Sequence, residues 1–446
     1  MPSPPYHSRL AGWGRFPIVD ALVLKSENLV AISETASLSR GLGRSYGDSS
    51  LPAGPDLPVA DTTLADRLLA FDAVSGLLRA EAGISLLELN RVFLRRGWFV
   101  PVSPGTQFVT LGGMVASDVH GKNHHVDGCF GQHVRNIKLR VADGRIIECS
   151  DALEPELFRA TIGGMGLTGH ILEVEFQMRP IPSPWIWGEN QRIDHLDAMV
   201  AGLKTAAADW PMTVGWIDCL ARGAKLGRGI LMKGRWAQPN EAPDQPPPHK
   251  RRFRVPFQFP GLALCKPSMK AFNLAYYWSH IQPVSRGIVH PDSFFYPLDA
   301  LDDWNLIYGR RGFTQYQCVL PHADDYGPAR RFLESFVSGG GSGFLCVIKD
   351  CGAEGKGMIS FPKPGISIAL DFSIHPAKTP ALVDRLNELV IAEGGRIYLT
   401  KDAFTRPEHF RAMEPRLEAF NAVRRKWDPN SRIRSAQSVR LLGDPA

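Results

Sequence analysis

The sequence predicts an α+β fold of two domains, and three observations carry that expectation. The chain has 446 residues, more than one ordinary hydrophobic core encloses. Through about residue 180, period-2 and period-3.6 hydrophobic patterns alternate, so short strands and helices share one region. At Arg179-Pro180-Ile181-Pro182-Ser183-Pro184 the prolines can continue neither a helix nor a central strand, which places a boundary there.

The individual elements follow in chain order. Leu78 and Ala80 alternate with polar neighbours and read as a strand. Ser85 and Glu88 then form an S-x-x-E capping box, with Leu86, Leu89 and Phe93 on one helical face and Gly97 at the helix end. Ile137, Leu139 and Val141 alternate into Asp143-Gly144, a hairpin turn, and Ile146 and Ile147 return. Ile171–Met178 is a further strand. Beyond the boundary, Gln238–His249 is rich in Pro, Asp and Gln and reads as a solvated loop, followed by KRRFRVPFQFPGLALCKPSMK (250–270), which interleaves cations with Phe, Leu and Pro. Thr379-Pro380 opens a helix with Leu382, Leu386, Leu389 and Val390 on one side; Gly394-Gly395 stops it, and Arg396–Thr400 reads as a strand. No internal repeat is present.

Composition narrows the function class. Hydrophobic residues at 44% and charged residues at 22% describe a folded chain, not a disordered one. No stretch approaches the roughly 18 uninterrupted apolar residues of a membrane-spanning helix. The N-terminal MPSPPYHSRLAGWGRFP lacks an apolar signal core and a twin-arginine pair, so a cytoplasmic location is expected. Seven cysteines with no CxxC spacing argue against a disulfide framework and a zinc ribbon. A net charge of +6 permits an anionic ligand without pointing to nucleic acid.

Two glycine-rich segments carry the chemistry. Gly41–Asp48 reads GLGRSYGD, with a G-x-G-x-x-x-G spacing one residue too long for the Rossmann dinucleotide fingerprint; Asp61, placed where a ribose-binding acid would sit, is therefore set aside. Such a turn still lets backbone N–H groups converge on an anion such as a pyrophosphate, although an ordinary loop has the same composition. Pro104–His133 reads PGTQFVTLGGMVASDVHGKNHHVDGCFGQH, a density of small residues that lets backbone approach a large planar ligand. His120, His124, His125 and His133, with Asp118 and Asp127, raise the alternative of a metal site, but their spacing matches no familiar zinc pattern, and no metal is expected. His124 and His125 serve equally well as hydrogen-bonding partners of loop backbone.

GLGRSYGDSSL, PVSPGTQFVTLGGMVASDVHGKNHHVDGCFGQHV, GGMGLTG and GGRIYLTKD resemble the vanillyl-alcohol-oxidase (PCMH-type FAD-binding) superfamily, and within it the decaprenylphosphoryl-β-D-ribose 2′-oxidase family. The resemblance runs through GFTQYQCVLP (312–321) and RRKWDPNSRI (424–433). It implies an FAD-binding domain over 1–182, an inserted substrate-binding domain with an antiparallel sheet over 183–395, and a return to the FAD-binding domain over 396–446. It places FAD contacts on Arg40, Gly41, Leu42, Gly43, Arg44, Ser45, Tyr46, Gly47, Asp48, Ser49, Gly105, Thr110, Leu111, Gly112, Gly113, Ser117, Asp118, Val119, His120, Ile171 and Tyr398. Around the substrate it places Tyr46, His120, Lys122, Trp216, Gln315, Gln317, Lys349 and Lys401.

Two positions depart from the family pattern. Many superfamily members attach FAD through a histidine in the first glycine loop; here Arg44 stands at that position, and non-covalent FAD is expected. In GISIALDF, Ala369 occupies a position where some relatives carry a cysteine, so the pocket wall lacks a thiol.

The implied reaction is oxidation of the C2′ hydroxyl of a polyprenyl-phosphoryl ribose to the 2′-keto sugar, the first step of epimerisation to arabinose for cell-wall arabinan. A separate NAD(P)-dependent ketoreductase would complete it. Hydride passes to the flavin, while His120 or Lys401 takes the hydroxyl proton and Tyr46 and Gln317 orient the substrate. A lipid-linked substrate gives the basic, Phe-bearing 250–270 stretch a role at an anionic membrane surface, consistent with peripheral association at the inner membrane. The rival readings are an alditol or aldonolactone oxidase acting on a soluble sugar, and an RNA-binding protein using the same stretch; the latter lacks any RRM or KH signature.

Overall fold

The computed structural model describes residues 4–261, 264–323 and 326–445. Leu262 and Ala263, within the basic 250–270 stretch, and Met1–Ser3 lie outside the described residues.

The N-terminal part holds two sheets. In the first, β1 (Tyr6–Ala11), β2 (Ile18–Lys25), β3 (Leu38–Arg40) and β4 (Val59–Asp61) lie in the order β1-β2-β4-β3, with the β2-β4-β3 pairs parallel. The second is antiparallel, built from β5 (Leu68–Asp72), β6 (Leu77–Glu81), β7 (Val134–Arg140), β8 (Ile146–Cys149) and β9 (His170–Gln177) in the order β5-β6-β9-β7-β8. The expected β7-β8 hairpin forms about Gly144, whose φ of 93° suits a residue without Cβ. The expected helix is α1 (Leu86–Phe93): Ser85 Oγ accepts from Glu88 N at 3.2 Å, and Leu86, Leu89 and Phe93 are buried.

A larger antiparallel sheet follows the prolines. Its strands are β10 (Ile186–Ile193), β11 (Met212–Ile217), β12 (Gly229–Trp236), β13 (Val284–Val289), β14 (Phe313–Pro321), β15 (Cys346–Cys351), β16 (Gly365–Ser373) and β17 (Arg396–Ile397). They lie in the order β13-β10-β12-β11-β15-β16-β14-β17. Because side chains alternate across a strand, Tyr316, Cys318, Ile348, Ile368 and Leu370 share one face. That face is buried beneath helices Leu196–Asp209, Gly327–Ser338 and Thr379–Ala392. The opposite face holds Gln315, Gln317, Lys349, Ser367, Ala369 and Asp371 and looks toward the glycine-rich loops.

The C-terminal segment returns to the first core: Phe410, Leu417, Phe420, Trp427 and Leu441 pack with Leu78, Val115, Phe158 and Val174. One expectation is corrected. Arg396–Thr400 is not a single strand; pairing with β14 ends at Ile397, and Leu399–Lys401 form a 3-10 turn. At this turn Thr400 O accepts the Tyr46 N–H (2.8 Å) from the first glycine loop, tying the C-terminal return to that loop. Among the described residues no helix is long and apolar enough to cross a membrane.

Candidate functional site

The antiparallel register arranges the polar face in rows. Trp216, Val347, Ala369 and Gln317 lie side by side across β11, β15, β16 and β14. Lys349 and Ser367 form the row on one side, and Asp371 and Gln315 the row on the other. β14 and β16 are buried on both faces, yet present Gln315, Gln317, Ser367 and Asp371 away from the helices. Polar groups are buried at this density only where partners or a ligand repay their dehydration.

The glycine loops close over these rows. A Cβ on Gly41 would stand 2.2 Å from Thr110 Oγ1, so the first loop and the second segment touch through a gap only glycine leaves. Gly47 abuts the carbonyl of Asp402. Arg440 locks this contact: its guanidinium donates to both carboxylate oxygens of Asp48 (2.7 and 2.9 Å) and to Asp402 (2.9 Å). Tyr46 and Lys401 are thereby brought together, with Lys401 Nζ 3.9 Å from the Tyr46 ring centroid.

His120 enters from the second segment. Gln317 Nε2 lies 3.0 Å from His120 Nε2 and 3.2 Å from Ser367 Oγ. With the amide nitrogen donating, the imidazole accepts at Nε2 and keeps its proton on Nδ1, a buried atom with no partner among the described residues. Burial, and then the positive charges of Lys349, His124 and Lys401, push its pKa well below the usual range, so the ring is neutral. Burial also lowers Lys401, which Asp371 partly offsets, and lowers Lys349. Lys122 is brought down to about 7 by burial and by Lys349, while its ammonium donates to Phe295 O at 3.0 Å. Tyr46 is raised by burial and by Asp371, so its phenol stays a donor. The site therefore gathers Lys122, Lys349, Lys401 and a neutral imidazole, a field that favours an anionic ligand.

The other expected residues divide into two groups. Arg44 lies over the rings of Trp13 (3.9 Å) and Phe108 (4.9 Å), at the edge of a cavity of about 180 Å³. Tyr398 donates to Ser117 O at 2.9 Å and stacks on Phe361 beside His120. Gly43, Ser45, Gly113 and Leu42 remain partly or fully exposed along the cradle, and Gly105 faces open space. Leu111, Gly112, Val119 and Ile171, by contrast, are buried in the first core and can offer a ligand little beyond backbone. Arg40 is spent on Ser50 and on Ala11 O, and Ser49 is buried. Asp118 turns away, accepting from Gly131 N (2.8 Å) and from Ser360. Trp216 lies in the row with Val347 and Ala369 and donates to Phe344 O at 3.0 Å. The remaining histidines take the backbone role: His125 lies 2.9 Å from Trp210 O, His133 3.0 Å from Asp127 O, and His124 accepts from Gly352 N at 3.0 Å.

Sequence reasoning missed Asp371, Ser367 and Phe361. Asp371 was within reach: in GISIALDF it is two residues beyond Ala369 and so on the same strand face. Nothing local marks Phe361, which reaches His120 only through the tertiary fold.

Comparison with known proteins assigns residues 28–150 to the FAD binding domain family. Decaprenylphosphoryl-beta-D-ribose oxidase of Mycolicibacterium smegmatis is 33% identical over 97% of both chains. An uncharacterised protein of Streptomyces coelicolor is 32% identical over 80% of this chain and all of its own length. A putative D-arabinono-1,4-lactone oxidase of Neurospora crassa is 26% identical over only 37% of this chain and 31% of its own. The likeness to lactone oxidases is thus partial and distant. The residues present fit an FAD: the cradle has open space at Gly105, its glycines admit close backbone approach, and His120 Nδ1 is buried without a partner among the described residues.

Proposed function

The chain belongs to the decaprenylphosphoryl-β-D-ribose oxidase family of FAD-dependent oxidoreductases, and from that membership we propose that it oxidises the C2′ hydroxyl of a polyprenyl-phosphoryl ribose to the 2′-ketone. FAD is its cofactor, and the enzyme acts on a CH–OH group. The observation that carries the substrate reading is the buried polar sheet face that bears Lys349 and has Lys122 and Lys401 close enough to act on it, which suits a polyol bearing an anionic phosphate.

FAD, when bound, supplies the hydride acceptor. The protein's share is to orient the sugar and handle one proton. Lys401 is the base: its lowered pKa leaves a neutral amine available, and the hydroxyl proton passes to Nζ as the C–H hydride departs. His120 is the poorer candidate, because its accepting nitrogen is engaged by Gln317 and its proton affinity is depressed. Tyr46 and Gln317 orient the sugar, Gln315 and Trp216 border it, and Lys122 and Lys349 attract the phosphate.

In this reading FAD lies on the Arg40–Ser49 loop, Gly105, Thr110–Gly113, Ser117–His120, Ile171 and Tyr398, with Arg40, Ser49, Asp118 and Ile171 contributing backbone and not side chain. Residues 1–182 and 396–446 form the FAD-binding domain, and 183–395 the substrate-binding domain. Arg44 cannot form the covalent bond of histidine-linked relatives, so denaturation should release all of the flavin; flavin left on the precipitated protein would contradict this. A 2′-keto product calls for an NAD(P)-dependent ketoreductase to complete the epimerisation. Anaerobic mixing with polyprenyl-phosphoryl ribose should bleach the flavin. Bleaching by a free alditol or aldonolactone, but not by the lipid-linked sugar, would overturn the substrate assignment.

The enzyme meets its substrate at a membrane surface. Between residues 245 and 291 there is no Asp or Glu, but there are Lys250, Arg251, Arg252, Arg254, Lys266, Lys270 and Arg286. Phe253, Phe257, Phe272, Trp278 and Ile281 are exposed among them. Arg252, Arg254 and Arg286 pair with acids outside this stretch; Lys250, Arg251, Lys266 and Lys270 have no ion pair among the described residues. Cations beside exposed aromatics suit an anionic interface. Triple replacement Phe253→Ser, Phe257→Ser, Trp278→Ser should cut co-sedimentation with phosphatidylglycerol vesicles about tenfold or more. Undiminished binding would remove the membrane role.

A further inference from the structure

The substrate-facing rows contain one carboxylate, Asp371, fully buried on β16. Gln315, its neighbour on β14, donates from Nε2 to Asp371 Oδ1, and the same nitrogen lies 3.5 Å from the Tyr46 hydroxyl. Both N–H bonds of that amide are thus directed at protein groups, and its carbonyl oxygen is the end left to accept from a ligand. Asp371 Oδ2 is buried without a partner among the described residues. A carboxylate serving only to hold the fold would have that oxygen satisfied, since an unpaired buried acceptor is costly.

The surroundings say what the charge acts on. From β14 comes Gln315; just before β15, the Leu345 carbonyl accepts the Asp371 N–H at 3.1 Å, with the Cys346 thiol nearby. From the first glycine loop comes the Tyr46 phenol, and from Trp304–Tyr308 the Tyr308 phenol. From the turn after β17 comes the Lys401 ammonium. Among the described residues, Lys401 is the one cation whose charge acts on Asp371; its Nζ lies 3.9 Å from the ring centroid of Tyr46, whose hydroxyl is 3.5 Å from Gln315 Nε2. The other charge acting on Lys401 is Lys349, which repels its proton, as does burial.

We propose that Asp371 is a positioning residue for proton removal: it fixes the Gln315 amide with its oxygen toward the substrate and stabilises the Lys401 ammonium as it forms. The inference rests on the reading of Lys401 as the base and assigns Asp371 no contact with substrate. Burial pushes the Asp371 carboxyl upward and Lys401 downward, so the two share the neutral pH range, where a small change in either charge moves the other.

The test uses the FAD-loaded enzyme with Asp371→Asn, which keeps size and removes the charge. Competitive acetylation of Lys401 across pH, read by mass spectrometry, reports its proton affinity without reference to turnover. The labelling midpoint is expected to fall by about one pH unit or more. The acid limb of flavin reduction by substrate should move the same way, and its plateau should drop at least about tenfold. Asp371→Glu should restore the midpoint toward wild type. If Asp371→Asn does not fold with flavin, Asp371→Ser, neutral and smaller, gives the same two readings. A labelling midpoint unchanged in a flavin-loaded neutral variant overturns the proposal. That outcome is distinct from failure of the base assignment, in which Lys401→Ala would reduce its flavin at the normal rate while the midpoint still responded to Asp371.

Discussion

Lys401→Ala is expected to retain flavin and to slow flavin reduction by substrate about 10²- to 10⁴-fold, the range over which a positioned general base acts. Flavin should remain because the contacts that place this turn are made by other groups: the Lys401 N–H bonds Tyr398 O at 2.9 Å, Thr400 O accepts from Tyr46, and Asp402 is held by Arg440. What disappears is the ammonium above the Tyr46 ring. Lys401→Arg should be nearly as slow, since a guanidinium keeps its proton at any working pH. In the wild type, burial lowers the Lys401 pKa, so the amine becomes neutral as pH rises through a range well below the roughly 10.4 of an ordinary lysine. Flavin reduction should therefore climb with pH and level off below that value. Stopped-flow traces in which the alanine variant reduces its flavin at the wild-type rate would remove Lys401 from the chemistry, as would a profile still rising at pH 10.

Gly47→Ala should be the most damaging single methyl group in the first glycine loop. Its Cβ would lie 1.9 Å from Asp402 O and 2.8 Å from Asp402 C, backbone atoms that cannot rotate aside. Relief requires the loop and the C-terminal return to separate, loosening the Tyr46–Thr400 bond and the Arg440 clamp on Asp48 and Asp402. A loss of roughly 3 kcal/mol, with most of the flavin, is expected from a backbone clash combined with a disturbed buried ion pair. Gly105→Ala is the matching control, since its Cβ would meet no atom of the described residues within 4 Å. The apoprotein should keep its stability within about 0.5 kcal/mol, while flavin affinity drops if FAD lies against that glycine. Thermal unfolding of apo and loaded protein, with the flavin-to-protein absorbance ratio, measures both. A Gly47→Ala protein with wild-type melting temperature and full flavin would show that the two loops do not meet as described.

Local patterns were legible wherever the physics is local. The Ser85–Glu88 cap, the Gly144 hairpin and the Thr379–Ala392 helix depend on neighbours a few residues apart, and each lies where the sequence places it. The strand expected over Arg396–Thr400 did not survive intact: its second half is a 3-10 turn whose Thr400 O bonds Tyr46, more than 350 residues away in the chain and invisible to a local pattern. His124, His125 and His133 had two readings open to them, and their partners decided for backbone support.

For the cradle, residue type was enough: glycines at 41, 43, 47, 112 and 113 mark where backbone must approach something closely, and the spacing excludes a Rossmann turn without any coordinates. Arg44 by itself excludes a histidine–flavin bond at that position. The family resemblance likewise rests on one-dimensional motifs. Only the tertiary structure could set Gln315, Gln317, Lys349 and Asp371 on one sheet face, because that depends on the register of strands far apart in sequence. Only it could show that Asp371 reaches Tyr46 through Gln315 while Lys401 sits over the Tyr46 ring, or that His120 spends its accepting nitrogen on Gln317. Proton affinities follow burial and neighbouring charge, which are properties of the folded arrangement and not of residue type. The sequence thus determined which groups are available, and the fold decided which of them can exchange a proton.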